Sequence, residues 1–395
     1  MPTVVTAAKL WDGAHLLDHP ILTVEDGRIL SLTTRATAEA SSTPNTLDFP
    51  AATLAPSFFD IHIHGASDHD VMEATPAALD FIGRFLASHG TGAYLATTVT
   101  APVDSTLRAL SALARLLNHP AEDAPLARPI GVHLEGPFLS HLKRGVHPPE
   151  HLQPADIALF DRFYDAAEGH VCLMTLAPEL PGAPELTAHA TQRGVRVSVG
   201  HSNATAAETR AVIAAGAVSA THTFNAMRPL DHREPGILGV ALAEDSIYAE
   251  LICDGIHTTP EMVKIWSRCK GPHRAILVTD AMSAAGMPDG DYRLGGLTVT
   301  VANGRATSGD VLAGSVLTLD RALANFLLFT GSTLEHGLRL LTTNPAAMTG
   351  VKSSNGLPGR APSAGQLAPG MPANFVAVNP DGTLAASFLN GQPAS

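Results

Sequence analysis

The sequence predicts an α/β fold: a (β/α)8 TIM-like barrel carrying a small β-sandwich domain built from the N- and C-terminal segments. Three observations predict it. Eight short apolar runs of β type follow one another from "FFDIHIH" to "RAILVTDA", many of them joined by helical patterns. Polar residues gather at the C-terminal ends of these runs, the rim where barrel active sites sit. The two ends of the chain share short apolar runs with Asp-Gly turns, a texture the middle lacks.

In order along the chain, "ILTVEDGRILSL" sets Asp26-Gly27 between two apolar runs, a hairpin signal. Residues 1–54 read as the first part of the small β domain. The barrel spans 55–352. Its β-type runs are "FFDIHIH", "GAYLATTV", "PIGVHLE", "HVCLMTLAPE", "VRVSVGH", "SATHTFN", "AELICDGIH" and "RAILVTDA". Helical periodicity appears in "PAALDFIGRFLASHG", "DSTLRALSALARLLNHP", "NATAAETRAVIAAG" and "GSVLTLDRALANFLLFTG". "MSAAGMPDG" (282–290) reads equally as a lid or a plain surface loop. "SSNGLPGRAPSAG" (353–365) reads as a linker. Residues 353–395, with Asp381-Gly382 between two more apolar runs, complete the small domain.

Composition bounds the function. Of 395 residues, 45% are hydrophobic and 16% charged, enough for a large core and against disorder. A net charge of −12 disfavours nucleic acid and acidic membranes as partners. A small anionic substrate remains compatible, because a basic pocket does not need a basic surface. Cys172, Cys253 and Cys269 are an odd count without metal spacing, which fits a reducing compartment and thiols buried as small apolar groups. No basic start precedes a long apolar run, and no apolar stretch reaches about 18 residues. The expectation is a cytoplasmic protein without a signal peptide or membrane span.

His62 and His64 are two residues apart in a strand pattern, so their side chains share one side and can bind one ion together. Alone, the pair reads equally as two polar residues at a strand end. Glu135 closes "GVHLE", where a carboxylate either faces solvent or binds a cation. His133 shares its face and reads as a packed histidine. His201, His222 and Asp280 each sit at or just past the end of a β-type run; alone, each histidine reads as structural. Together, four histidines and two carboxylates converge on one rim. Imidazole and carboxylate without thiolate suit zinc, iron, manganese or similar ions. Six such groups exceed the needs of one catalytic ion and suit two, about 3.5–4 Å apart. On this reading His62 and His64 hold one ion, His201 and His222 a second, and Glu135 is placed to touch both.

The chain resembles the amidohydrolase superfamily and, within it, the N-acetylglucosamine-6-phosphate deacetylases. The resemblance runs in order through "PSFFDIHIHG", "GVHLEGPFLS", "KRGVH", "VGHSNAT", "THTFNAM", "PLDHREPG", "DGIH", "VTDA", "LAGSVLT", "NPAAMTGV" and "GQLAPGMPANFVAV". It implies that Glu135, His201 and His222 are metal ligands and that His62 and His64 add a further site. The cofactor is then a divalent metal, one or two ions per subunit, with zinc ahead of iron, manganese or cobalt. It implies Asp280 as catalytic acid/base and His147 as stabiliser of the developing oxyanion. Asn225, Ala226, Arg233, His257, Leu312 and Ala313, with His147, fall at substrate-contacting positions. The implied reaction is hydrolysis of the acetamide of N-acetylglucosamine 6-phosphate to glucosamine 6-phosphate and acetate. The implied attack is by metal-bound hydroxide. The implied partner is a phosphorylated amino sugar, and the implied assembly a homodimer in which Arg233 reaches the neighbouring subunit. Asn374 departs from the Asp often found there. The N-acetylgalactosamine epimer, another N-acyl amino sugar, a cyclic-amide hydrolase and a non-catalytic scaffold are the rival readings. The cyclic-amide enzymes often use a modified lysine where this chain has Glu135.

Overall fold

The computed structural model describes residues 1–35, 45–119, 124–350 and 364–394. Eight parallel strands form the barrel: β1 Phe58–Ile63, β2 Thr91–Thr98, β3 Arg128–Glu135, β4 Val171–Leu176, β5 Arg196–Val199, β6 Ser219–Ala220, β7 Tyr248–Ile252 and β8 Ala275–Val278. They pair in chain order from β1 to β8. The ring closes just past β8: Ile63 bridges Ala281, the Asp280 N–H donates to the His62 carbonyl at 2.9 Å, and the His64 N–H donates to Ala281 at 2.8 Å. Closure therefore stitches the HxH strand end to the strand end bearing Asp280.

All eight predicted runs form these strands, because they are short and apolar and their side chains are buried on both faces. Helices cover the outside. Pro76–Ser88 begins with proline in its first turn and is capped by Thr75, whose side chain accepts from the Ala78 N–H. It buries Leu79, Ile82 and Leu86, each contributing about 1.5–3 kcal/mol. Ala206–Ala214 starts on a reciprocal Thr205/Glu208 capping box.

The two termini share one eight-stranded sheet. Thr46–Pro56 runs parallel to Thr3–Trp11 on one side and antiparallel to Phe375–Val378 on the other. Its own apolar core includes Leu10, Leu22, Leu54, Phe375 and Phe388. Asp26 and Gly27 turn the first hairpin with positive φ of 48° and 75°, as a two-residue turn of this hand requires. The Asn374 side-chain oxygen accepts from the Asn390 N–H at 2.7 Å, a bond that aspartate would make equally. Most of the predicted linker, 353–363, lies outside the described residues.

Two expectations need correction. Cys269 is exposed on the helix Pro260–Arg274, whereas Cys253 is buried and Cys172 partly so. The segment 282–290 is a loop as far as Asp289, but only its second half is at the surface, and a sheet follows it. Ala281–Ala285 is buried, and Gly290–Leu294, Leu297–Ala302, Arg305–Ser308 and Val311–Leu312 form a four-stranded antiparallel sheet. Leu294, Val299, Val301 and Ala306 pack there against Met282, Ala284 and Ala313. The alternation of "LTVTVA" and the Asn303-Gly304 turn carried that signal. Among the described residues no helix is long and apolar enough to cross a membrane.

Candidate active site

The rim gathers its polar groups because the strands end on them. In β1, alternation puts Asp60, His62 and His64 on one side, and all three are buried. In β3 it puts Glu135 above His133. His201, His222 and Asp280 lie just beyond β5, β6 and β8 with φ of 45°, 26° and 50°. Non-glycine residues in this left-handed region carry about 1–3 kcal/mol of strain each, held by the surrounding fold. From these turns the three side chains reach the buried centre.

Glu135 is the hub. Its Oε1 lies 3.3 Å from His62 Nε2, 3.2 Å from His201 Nε2 and 3.1 Å from His222 Nε2. Its Oε2 lies 3.1 Å from His64 Nε2 and 3.6 Å from His147 Nε2. Asp280 Oδ1 is 3.2 Å from His64 Nε2 and 3.5 Å from His62 Nε2. Two groups of potential ligands result: His62, His64 and Asp280, and Glu135, His147 and His201. His222 Nε2 stands 3.0 Å from His201 Nε2, beside the second group.

These donors fit metal ions. His64 Nδ1 faces the Thr97 carbonyl at 3.1 Å and His201 Nδ1 the Lys143 carbonyl at 3.0 Å. A carbonyl only accepts, so each Nδ1 carries a proton and each Nε2 is the nitrogen left to face the centre, where a cation or a second proton can sit. Among the described residues the buried His62 Nε2 has no hydrogen-bond partner. Two imidazole nitrogens 3.0 Å apart call for a cation or proton between them. His147 differs. Its Nδ1 accepts from the Thr100 N–H at 3.4 Å and contacts Thr100 Oγ1 at 2.7 Å. The proton then sits on Nε2, which suits a donor to a substrate oxygen better than a metal ligand.

The electrostatics agree. Burial pushes His64 down, but its hydrogen bonds to Asp280 and Glu135 carry it up to about 9. Burial pushes Asp280 up, but the His62 charge and the His64 hydrogen bond hold it at about 2. Glu135 is likewise held well below the carboxylate range: burial opposes this and the imidazoles outweigh it. Burial lowers His201 to about 4, leaving it neutral. The centre is thus built to hold positive charge against two carboxylates.

A cavity of about 750 Å³ opens onto this centre. His147, Asn225, Ala226, His257 and Leu312 line it; Ala313 is buried beside it without lining it. His257 Nδ1 is 2.7 Å from Asp254 Oδ2, which fixes the ring. The wall also carries Lys143, Arg144 and Arg305, cations that sequence reasoning did not single out. Arg305 belongs to the unforeseen sheet. Arg233 does not line the cavity of its own chain; it is exposed on the loop 231–235. His69 stacks on Phe81 and contacts Glu73, away from the cavity.

Gly136 shows how tightly the site is framed. Its φ is 88°, and a Cβ there would lie 2.0 Å from Thr100 Oγ1, the group that holds His147. Gly136→Ala is expected to cost about 1–3 kcal/mol of stability. It should also lower kcat by displacing His147, with metal content unchanged. Thermal melts, turnover and metal analysis of the variant check this.

Comparison with known proteins places these features. Residues 53–394 match the model of the amidohydrolase family. An N-acetylgalactosamine-6-phosphate deacetylase of Escherichia coli O157:H7 is 38% identical over 87% of this chain and 88% of its own length. An N-acetylglucosamine-6-phosphate deacetylase of Bacillus subtilis is 37% identical over 84% of each. A mutant N-acetyl-D-glucosamine-6-phosphate deacetylase of Mycobacterium smegmatis, solved in complex with N-acetyl-D-glucosamine-6-phosphate, is 34% identical with a TM-score of 0.89. That likeness covers 100% of this chain and 99% of the other. With its barrel, its HxH strand end and its match over most of its length, this chain belongs to the amidohydrolase family.

Proposed function

We propose that the chain hydrolyses the acetamide of N-acetylglucosamine 6-phosphate, giving glucosamine 6-phosphate and acetate. One observation carries this reading. Five imidazoles, Glu135 and Asp280 converge at the floor of a cavity large enough for a sugar phosphate, in a chain similar to deacetylases over most of its length. His62 and His64 would hold one divalent ion and His201 and His222 another, with Glu135 between them; zinc suits this donor set. When bound, the metal supplies Lewis-acid polarisation and an acidified water.

The chain's own residues do the rest. Asp280, ionised at neutral pH, accepts the proton of the attacking water and returns it to the leaving amine. His147 donates from Nε2 to the amide oxygen as negative charge develops. Asn225, Ala226, Leu312 and Ala313 shape the sugar site, and His257 meets the phosphate. Arg233, exposed and not lining its own cavity, is read as completing the phosphate site of the neighbouring subunit in a homodimer. We also read 1–54 with 353–395 as one domain, 55–352 as the other, and the cytoplasm as the compartment.

Charge-assisted hydrogen bonds contribute about 1.5–3 kcal/mol each. Arg233→Ala should therefore lower kcat/KM for the phosphorylated sugar by about 10–10²-fold and leave the unphosphorylated sugar nearly unchanged. Kinetics on both sugars test it, and equal losses on both would remove Arg233 from the phosphate site. The galacto epimer is a second reading, favoured by the similarity to the Escherichia coli enzyme named for that sugar. Side-by-side kcat/KM values on the two epimers decide between them.

A further inference from the structure

Beneath the centre lies a layer of buried polar groups that the proposed reaction does not use. Glu250, on β7, is fully buried. Its Oε2 lies 3.5 Å from His62 Nδ1, and Ser198 Oγ donates to its Oε1 at 3.5 Å. From there contacts run around the barrel. Thr221 donates to Ser198 at 2.7 Å, Thr175 and Thr221 share a bond of 2.9 Å, and Thr175 Oγ1 meets His133 Nε2 at 2.9 Å. His133 Nδ1 then reaches the Ile61 carbonyl at 3.2 Å, back on β1 beside His62. Every side chain in this belt is buried at 0% exposure. An apolar interior would be the cheaper packing here, since each unmet polar group costs about 1–3 kcal/mol. The belt borders one residue of the centre directly.

That residue is His62. Its ring stands edge-on to His133 at 4.7 Å between centroids, and Glu250 is the group at its Nδ1. His64 and His201 have backbone carbonyls at the same ring position. His62 has none there and depends on a side chain instead. We propose that Glu250 is the positioning residue of the HxH metal site, holding the His62 Nδ1–H so that Nε2 presents its lone pair to the ion. The belt of Ser198, Thr221, Thr175 and His133 in turn holds Glu250 and the His62 ring. This rests on the reading that His62 and His64 hold an ion of their own.

The test is zinc titration of chelator-stripped protein against a competing chromophoric chelator, for the full chain and four variants. Wild type should bind two ions per subunit. Glu250→Leu should weaken one of the two sites about 10–100-fold, the usual effect of losing such a partner. Glu250→Gln keeps an acceptor oxygen and should restore most of that affinity. His62→Asn should leave one ion, and adding Glu250→Leu to it should change nothing further. Wild type holding one ion would overturn the two-ion reading and this inference with it. Two ions in wild type with unchanged affinity in Glu250→Leu would overturn this inference alone. Equal weakening by Glu250→Leu with and without His62 would do the same, because Glu250 would then act on the barrel and not through His62. If Glu250→Leu fails to fold, a Glu250→Gln variant that binds as weakly as His62→Asn overturns the inference. Wild-type-like binding by Glu250→Gln, together with two ions in wild type, supports it.

Discussion

Asp280→Asn is expected to lower kcat by about 10²–10⁴-fold, the range that a positioned general acid/base contributes. The backbone is fixed by closure of the barrel: the Asp280 N–H donates to His62 and its carbonyl accepts from Ser315 at 2.7 Å. The asparagine side chain therefore occupies the same place. It keeps the shape and a polar oxygen toward His64 but loses the capacity to take a proton. Its KM should change little, because in the proposed reaction the carboxylate would act on the attacking water and the leaving amine and not on the sugar or phosphate. Steady-state kinetics with metal analysis on the same preparation separates the effects. Near-normal turnover at wild-type metal content would remove Asp280 from proton transfer. Low turnover that tracked metal loss would make it a ligand instead.

Glu135→Gln is expected to do more. The carboxylate faces five imidazoles within 3.6 Å, and it is buried with them. Its removal takes away one of the two carboxylates that balance the buried positive charge, leaving Asp280 alone, and breaking a buried pair costs about 3–5 kcal/mol. A neutral amide would also be a poorer ligand than the carboxylate for any cation held there. The variant should lose most bound metal, fall at least about 10³-fold in kcat, and melt several degrees lower than wild type. Metal content, turnover and calorimetry check the three effects. Retention of both ions would show that the histidines and Asp280 suffice to hold them.

Much of this was legible before the fold was known. The barrel strands announced themselves as short apolar runs, and their polar termini marked one rim. The HxH pair could be read because strand geometry has a period of two. His147 needed the resemblance, since nothing in "KRGVH" predicts that the loop folds back to Thr100. Three things went unread, the first although its alternation is visible in the sequence and the other two for physical reasons. The sheet of 290–312 interrupts the barrel after its last strand, where a helix is the ordinary successor, so its Arg305 was not connected to the cavity. Glu250 sits in the middle of "YAELI", where local sequence gives a buried carboxyl no visible partner; its partners come from strands 52 and 188 residues away. The left-handed turns at His201, His222 and Asp280 are uncommon for any non-glycine residue, and histidine and aspartate tolerate them without requiring them, so tertiary packing decides where they occur.

The central claim is that this is a metal-dependent amidase for a phosphorylated N-acetyl sugar. The most direct measurement is acetate release from N-acetylglucosamine 6-phosphate and from N-acetylglucosamine, by the zinc-loaded chain and by the same chain stripped with chelator. The predicted result is release that needs metal and favours the phosphorylated sugar by about 10²–10⁴-fold in kcat/KM, the effect of two charge-assisted phosphate contacts. Equal rates with and without metal, or no acetate from either sugar at full metal loading, would contradict it.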